Sequence, residues 1–258
     1  MISFTLINSF SFLYDVSYNI LMNKKAIIII ILLLIVAVFA YGIYYINDYY
    51  HADDSAKSYI NGSENVDVVK IDNGLFLDGP GNDSAVIFYP GAKVEYTSYL
   101  PLLMDLSNDG VDCFLVEMPF NIAFLGQNSA DEIIDSYNYS DYFIAGHSLG
   151  GVVASQYVNQ TNKTDGLILL ESYSTSNIDK PVLSIYASND KLLNMKEYKD
   201  SKHLIDTNLT EIVIDGGNHA QVGNYGFQKG DGKATISAEK QQDMIKNEIL
   251  AFINSLVV

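Results

Sequence analysis

The chain has no arginine. Its 15 basic residues are all lysines, against 31 Asp and Glu, and the net charge is −16 over 258 residues. A protein that tracks nucleic-acid phosphates needs a basic face, so that class is excluded. The planar fork that grips carboxylates and phosphates bidentately is missing too. The chain is rich in Ile, Asn, Lys and Tyr, a bias that accounts for the missing arginine without reference to any substrate. Cysteine is nearly absent. Cys113, in "VDCFLVEM", stands alone, which excludes an intrachain disulfide and reads as an inert thiol in a buried strand. The four histidines are scattered, with no H-E-x-x-H and no cysteine cluster. No phosphate loop or dinucleotide fingerprint occurs, so neither metal nor cofactor is expected. There is no internal repeat.

What is present begins with "AIIIIILLLIVAVFAYGIYYI", Ala26 to Ile46, a run without a charge. At ~1.5 Å per residue it spans a ~30 Å hydrocarbon layer. Lys24 and Lys25 precede it, and Asp48, Asp53 and Asp54 follow. The positive-inside rule then puts the N-terminus in the cytoplasm and the large domain outside, at the cell membrane. A cleaved signal peptide ending at Val38-Phe39-Ala40 is the alternative. The apolar run continues through Tyr41 to Ile46, which favours an uncleaved anchor. Residues 1–25 form an N-terminal segment whose first 21 residues have the look of an over-extended start. Residues 47–65 are polar and acidic and read as a tether, and residues 66–258 as the globular domain.

Within that domain short apolar runs alternate with helix-period segments. "VDVVKI", "GLFLDG", "SAVIFY", "CFLVEM", "YFIAG", "GLILLE", "PVLSIYA" and "EIVID" predict strands. Helices are predicted near 97–109, 129–137, 149–160, 194–204 and 237–255. Runs apolar throughout belong to strands buried on both faces, and the alternation predicts a mostly parallel sheet with helices on both sides. Chemistry in such a sheet lies beyond the carboxyl ends of its strands.

One stretch stands out there. "YFIAGHSLGG" places Ser148 between two glycines where a strand gives way to a helix. G-x-S-x-G in that context holds a serine on a tight, strained turn above the sheet, with free helix amides beneath it. Such a serine needs a base and an orienting acid later in the chain. Of the histidines, His51 falls in the tether, His147 at the variable elbow position and His203 in a polar helix. His219, in "EIVIDGGNHAQ" past the last strand, is the candidate base. Asp190, after "PVLSIYASN", is the favoured acid, and Glu171, closing "GLILLE", is the alternative. An oxyanion hole would combine the Leu149 amide with one from "YPGAKVEY", where Ala92 is favoured over Lys93 and Pro90 has no N–H to give.

Residues 66–258 resemble an α/β-hydrolase. The blocks "FYPGAKVEYTSYLPLL", "MPFNIAFLG", "GHSLGG", "SIYASNDKL" and "GGNHAQVGNYGFQKGDGKATIS" are similar to a microbial, dienelactone-hydrolase-like subgroup. The resemblance implies the α/β-hydrolase fold and a serine triad. Dienelactone hydrolases proper use a cysteine nucleophile where this chain has Ser148, so their substrate does not carry over. Only nine residues separate Glu171 from Pro181, "SYSTSNIDK", which leaves no room for a cap domain. "MPFNIAFLG" and "VGNYGFQ" are the apolar candidates for pocket walls. The expectation is a membrane-anchored, extracytoplasmic serine hydrolase acting on a small-molecule or lipid ester. Thioesterase or peptidase action, or a non-catalytic binding role on the same scaffold, are the alternatives. The oligomeric state is not legible.

Overall fold

The computed structural model describes residues 2–81, 83–206 and 208–257, with side chains from Lys24 onward. It divides into two compact units, Met1–Asp48 and Tyr49–Val258. The first is a single helix, α1 (Ile2–Asn47). Its part Lys24–Asn47 is long and apolar enough to cross a membrane, and its side chains are exposed all round. A helix without a polar face has no amphipathic stripe to bury against a globular core. The expected span Ala26–Ile46 lies inside it; the first 21 residues precede the described side chains.

The second unit is built on one eight-stranded sheet. Its strands are β1 (Asp67–Ile71), β2 (Gly74–Asp78), β3 (Ser84–Tyr89), β4 (Asp112–Val116), β5 (Asp141–His147), β6 (Gly166–Leu170), β7 (Val182–Ala187) and β8 (Leu209–Ile214). Their spatial order is β1-β2-β4-β3-β5-β6-β7-β8. β2 is antiparallel to both β1 and β4, and all other neighbours run parallel. Because side chains alternate across a strand, β3 sends Val86 and Phe88 into one core and Ala85, Ile87 and Tyr89 into the other. Both cores exclude water, which is why "SAVIFY" is apolar at nearly every position. Cys113 on β4 is wholly buried, and that burial pushes its thiol up to about 12. It is inert.

Helices α3 (Leu100–Asn108) and α7 (Ala238–Leu256) cover the first core. α7 presents Ile245, Ile249, Phe252 and Ile253, the 4-3-1 spacing of an amphipathic face, and Ser237 caps it through the Lys240 amide. Helices α4 (Ser129–Ser136) and α5 (Leu149–Gln160) cover the second core. α2 (Asp54–Lys57) lies ahead of the sheet in sequence, and α6 (Met195–Ser201) ties to β7 through the Tyr198 and Ser184 hydroxyls, 3.0 Å apart. The chain leaves β3 toward α3 on one face and β5 toward α5 on the other. That divergence opens a crevice at the carboxyl ends of two adjacent strands.

Candidate active site

The turn at the end of β5 is strained. Ser148 has φ 53° and ψ −123°, a region that costs an L-residue ~1–3 kcal/mol and persists only where its surroundings enforce it. The glycines do the enforcing. A Cβ on Gly150 would lie 2.1 Å from the Tyr89 carbonyl oxygen, and one on Gly146 would lie 2.5 Å from the Gly150 backbone. Only bare backbone lets α5 approach β3 and β5 this closely. From the other side the Ser172 hydroxyl donates to the Ser148 carbonyl at 2.7 Å, and the Ser148 amide donates to Leu170 on β6 at 2.9 Å. Leu149 is the first residue of α5, and its amide points out of the helix end without an intrahelical acceptor.

Past β8, His219 is buried in a short loop that opens into a 3-10 turn, Ala220–Val222. Its Nδ1 lies 2.7 Å from Asp190 Oδ2, and both side chains are almost wholly buried. Asp190 follows β7, and its Oδ1 accepts from the Leu192 and Leu193 amides at 2.6 and 2.9 Å. Burial alone would raise the Asp190 carboxyl. The bond to His219 and the neighbouring Glu171 side chain outweigh it and hold the group well below the usual carboxylate range. The carboxylate therefore receives the Nδ1 proton, which leaves His219 Nε2 as the ring's basic nitrogen.

Glu171 stands one residue past β6 with φ 49°, fully buried. One carboxyl oxygen accepts from the Ala187 amide at 3.0 Å, and the other has no hydrogen-bond partner among the described residues. Ligand atoms of Glu171, Asp190 and His219 all lie within 4.8 Å of one another. Burial, and after it the adjoining Asp190 carboxylate, push Glu171 well above its ordinary value, which favours its protonated form. Of the two candidate acids, Asp190 is the one bonded to His219. Within the trio the hydrogen bond is the one between His219 and Asp190, with Glu171 beside it, an arrangement with the chemistry of a relay more than of a metal cage.

His147, the elbow's variable residue, is fully buried and both ring nitrogens are engaged. The Gly91 amide donates to the Tyr99 hydroxyl at 3.0 Å, and that hydroxyl lies 2.8 Å from His147 Nδ1. His147 Nε2 lies 3.2 Å from the His219 carbonyl oxygen. A carbonyl only accepts, so Nε2 carries the proton and Nδ1 accepts from Tyr99. Burial, reinforced by His219, holds His147 well below the usual imidazole value. It is neutral and its nitrogens are occupied, so it is no rival to His219 as a base.

The Tyr99 bond also sorts the donors after β3. Gly91 N–H is taken by Tyr99, and Lys93 N–H donates to the Asn121 carbonyl at 2.9 Å. Between them the Ala92 amide makes no hydrogen bond among the described residues.

Ser148, Leu149, Glu171 and His219 line one open cavity of about 190 Å³. Its apolar wall is Val152, Tyr173, Leu192 and Leu193. The expected walls lie elsewhere. Phe120, Phe124 and Leu125 point into solvent, because Phe120 and Asn121 take left-handed backbone that turns the loop outward. Phe227 borders a larger cavity of about 350 Å³ with Gln221, Asn224 and Lys233. That cavity touches none of Ser148, Asp190 or Glu171, and its size does not make it the chemical site. Two supporting residues gave no signal in the sequence. Gln241 on α7 exchanges two hydrogen bonds with the Asn218 backbone, at 2.9 and 2.7 Å. Asp231 accepts from the Lys191 amide at 3.3 Å and the Ala220 amide at 3.0 Å, tying the Asp190 loop to the His219 loop.

Comparison with curated protein sequences finds no match. Solved structures with this architecture are numerous. Est1E from Butyrivibrio proteoclasticus is 13% identical, covering 74% of this chain and 100% of its own, with a TM-score of 0.53. A ferulic acid esterase from Streptomyces cinnamoneus is 16% identical, covering 69% of this chain and 68% of its own, with a TM-score of 0.57. An epoxide hydrolase mutant from Vigna radiata is 12% identical, covering 75% and 100%, with a TM-score of 0.57. At such identities the likeness is one of fold. The sequence profile described as "Alpha/beta hydrolase family" matches residues 85–243, more than half of the chain and every loop of the crevice, and the chain therefore belongs to the alpha/beta hydrolase family.

Proposed function

We propose that this protein is a serine hydrolase that cleaves carboxylic esters through an acyl-enzyme. The carrying observation is that His219, bonded to Asp190 at 2.7 Å, lines the same cavity as Ser148 on its strained turn. In this reading His219 Nε2 takes the Ser148 proton as Oγ attacks the carbonyl carbon. Asp190 stabilises the imidazolium that forms, and the amides of Leu149 and Ala92 receive the charge on the carbonyl oxygen. His219 then returns the proton to the departing alcohol. Water repeats the sequence on the acyl-enzyme and releases the acid. No step calls for a metal or cofactor. The subgroup reading, dienelactone-hydrolase-like with a serine nucleophile, rests on the sequence blocks around these loops.

Cavity size supports a short acyl group, since sites for larger ligands run to roughly 300–1,000 Å³. The apolar span Lys24–Asn47 and the lysines before it support an anchored enzyme with its catalytic domain outside the cell. Its substrate would be a small-molecule or lipid ester and not a nucleic acid. The deciding experiment is fluorophosphonate labelling of the full-length chain. Ser148 is expected to be the single labelled residue, and Ser148→Ala to abolish labelling with the fold intact. Labelling that persists in Ser148→Ala refutes the assignment. Turnover across p-nitrophenyl esters of rising acyl length is expected to fall after the shortest members.

A further inference from the structure

The segment that follows α1 in sequence behaves as part of the catalytic edge. Tyr50 forms a parallel bridge with Val94. Its amide donates to the Lys93 carbonyl at 2.7 Å, and its carbonyl accepts from the Glu95 amide at 2.8 Å. Two residues on, the Ala52 amide donates to Glu95 Oε2 at 3.0 Å. The same short stretch grips a second loop. The Tyr50 hydroxyl accepts from the Lys229 amide at 3.0 Å, and its ring lies 5.7 Å from that of Tyr225. The Asp53 amide donates to the Asn224 carbonyl at 2.9 Å, and the Asn224 side chain donates to the Ser55 hydroxyl at 2.7 Å. Ala52 and Ala56 are buried beneath these contacts.

Both gripped loops carry candidate chemistry. Lys93 directly follows Ala92, and Asn224 to Lys229 continue the chain from His219. Lys93 has φ 58°, a left-handed conformation that a side-chain-bearing residue rarely adopts. Such a conformation persists only where neighbours over-determine it. Its N–H is held by Asn121 and its C=O by Tyr50, so Tyr50 supplies one of the two backbone bonds that fix the turn presenting the Ala92 amide. An exposed polar tether has no reason to make these bonds.

We propose that residues 50–55 are a splint that fixes the Ala92 turn and the loop after His219 relative to each other, and that Tyr50 is its positioning residue. The inference deepens the serine-hydrolase reading and rests on it for its kinetic consequence. Its structural content is independent of that reading. An oxyanion amide contributes in the transition state and little to ground-state binding, and losing one donor outright costs ~10²–10³ in kcat. A donor that is loosened and not lost costs less.

The test uses the full-length chain in detergent. Tyr50→Pro deletes the N–H that holds Lys93. Expected are a fall in kcat and in the fluorophosphonate labelling rate of about 10–100-fold, with KM changed less than about threefold. Tyr50→Phe keeps both backbone bonds and loses only the hydroxyl, and is expected to restore most of the rate. Glu95→Ala removes the acceptor of the Ala52 amide and is expected to cost about 3–10-fold, the size of one modest contact. It decides the question alone if Tyr50→Pro does not fold. Hydrogen exchange provides the second readout. The Lys93 and Asn224 amides, whose own acceptors are Asn121 and Ser98, are expected to exchange faster in Tyr50→Pro and Glu95→Ala. Folded variants with kcat within about twofold of wild type and unchanged exchange at Lys93 and Asn224 overturn the splint. Wild type that takes no label, with exchange nonetheless accelerated in the variants, overturns the serine-hydrolase reading and leaves the splint standing.

Discussion

Replacing Asp190 by asparagine isolates the relay from the scaffold around it. The isosteric side chain keeps an oxygen for the Leu192 and Leu193 amides, which Asp190 now accepts at 2.6 and 2.9 Å. Its amide nitrogen is then turned toward His219 Nδ1, at the position where Oδ2 accepts across 2.7 Å. A donor facing a donor is intolerable in a site this buried, so the imidazole must put its proton on Nε2 and accept at Nδ1. In the proposed mechanism that tautomer offers Ser148 an N–H and cannot take its proton. Loss of the charge-assisted bond costs about 1.5–3 kcal/mol of stability. Loss of the correct tautomer costs ~10⁴-fold in turnover in well-studied triads. Glu171→Gln is the matched control. It is as deeply buried, its protonated form is favoured, and a glutamine oxygen can accept from Ala187 as the acid does. Its cost is expected on the order of tenfold. The assay is kcat on the best p-nitrophenyl ester, with folding followed by circular dichroism. Asp190→Asn retaining more than about a tenth of wild-type turnover refutes the relay, as does a Glu171→Gln enzyme the more crippled of the two.

Glu171 also predicts a pH dependence of stability. Its folded-state proton is held well above the ordinary range, while the unfolded chain releases it near ~4.3, so wild type loses up to about 1.4 kcal/mol per pH unit on that account above ~4.3, until the folded group titrates. Glu171→Gln lacks the proton, so its melting temperature is expected to gain on wild type from pH 4 to 7; a constant difference refutes a neutral Glu171. Gly150→Ala places a Cβ 2.1 Å from the Tyr89 oxygen, and α5 must shift; the expected result is a lower melting temperature and loss of Ser148 labelling, and a wild-type labelling rate contradicts the close approach. For the anchor, external protease on intact cells is expected to shave the catalytic domain from the membrane fraction; a soluble, protease-resistant chain in the cytosol refutes the topology.

The fold was legible because its central strands are buried on both faces. "SAVIFY" predicts β3 at Ser84–Tyr89 and "GLILLE" predicts β6 to within a residue, since a double-faced core leaves no polar position to blur the limits. β8 was harder. Thr210 and Glu211 at this edge strand are exposed, and the strand starts at Leu209, two residues before the apolar signal. The 97–109 helix divides into a 3-10 turn over Tyr96–Tyr99 and α3 from Leu100. Pro101 suits the first turn of a helix, where its missing N–H is no loss.

The candidate site was legible where it depends on residue type and illegible where it depends on what closes a turn. Serine between glycines, an aspartate after a strand and a histidine in a glycine loop all announce themselves. Which of two aromatic blocks lines the cavity does not, because that depends on the left-handed turns at Phe120 and Asn121. The same limit explains Tyr50, Tyr99, Gln241 and Asp231. Each binds backbone or a ring nitrogen far away in sequence, and no local spacing encodes such a bond. These four residues nevertheless converge on the Ala92 and His219 loops, and Asp231 adds the Asp190 loop. From below, the Gly91–Tyr99–His147 chain runs to the carbonyl of His219. From above, Tyr50 joins Lys93 to Lys229. Gln241 and Asp231 hold the loops of Asn218 and Asp190 from the sides. A strained serine after β5 and a free amide after the adjacent β3 are useful only if the base stays in register with both. Burying a neutral histidine, a tyrosine hydroxyl and a glutamine with satisfied hydrogen bonds secures that register at little net cost. An apolar core of the same volume would fill the space without fixing where the two loops stand.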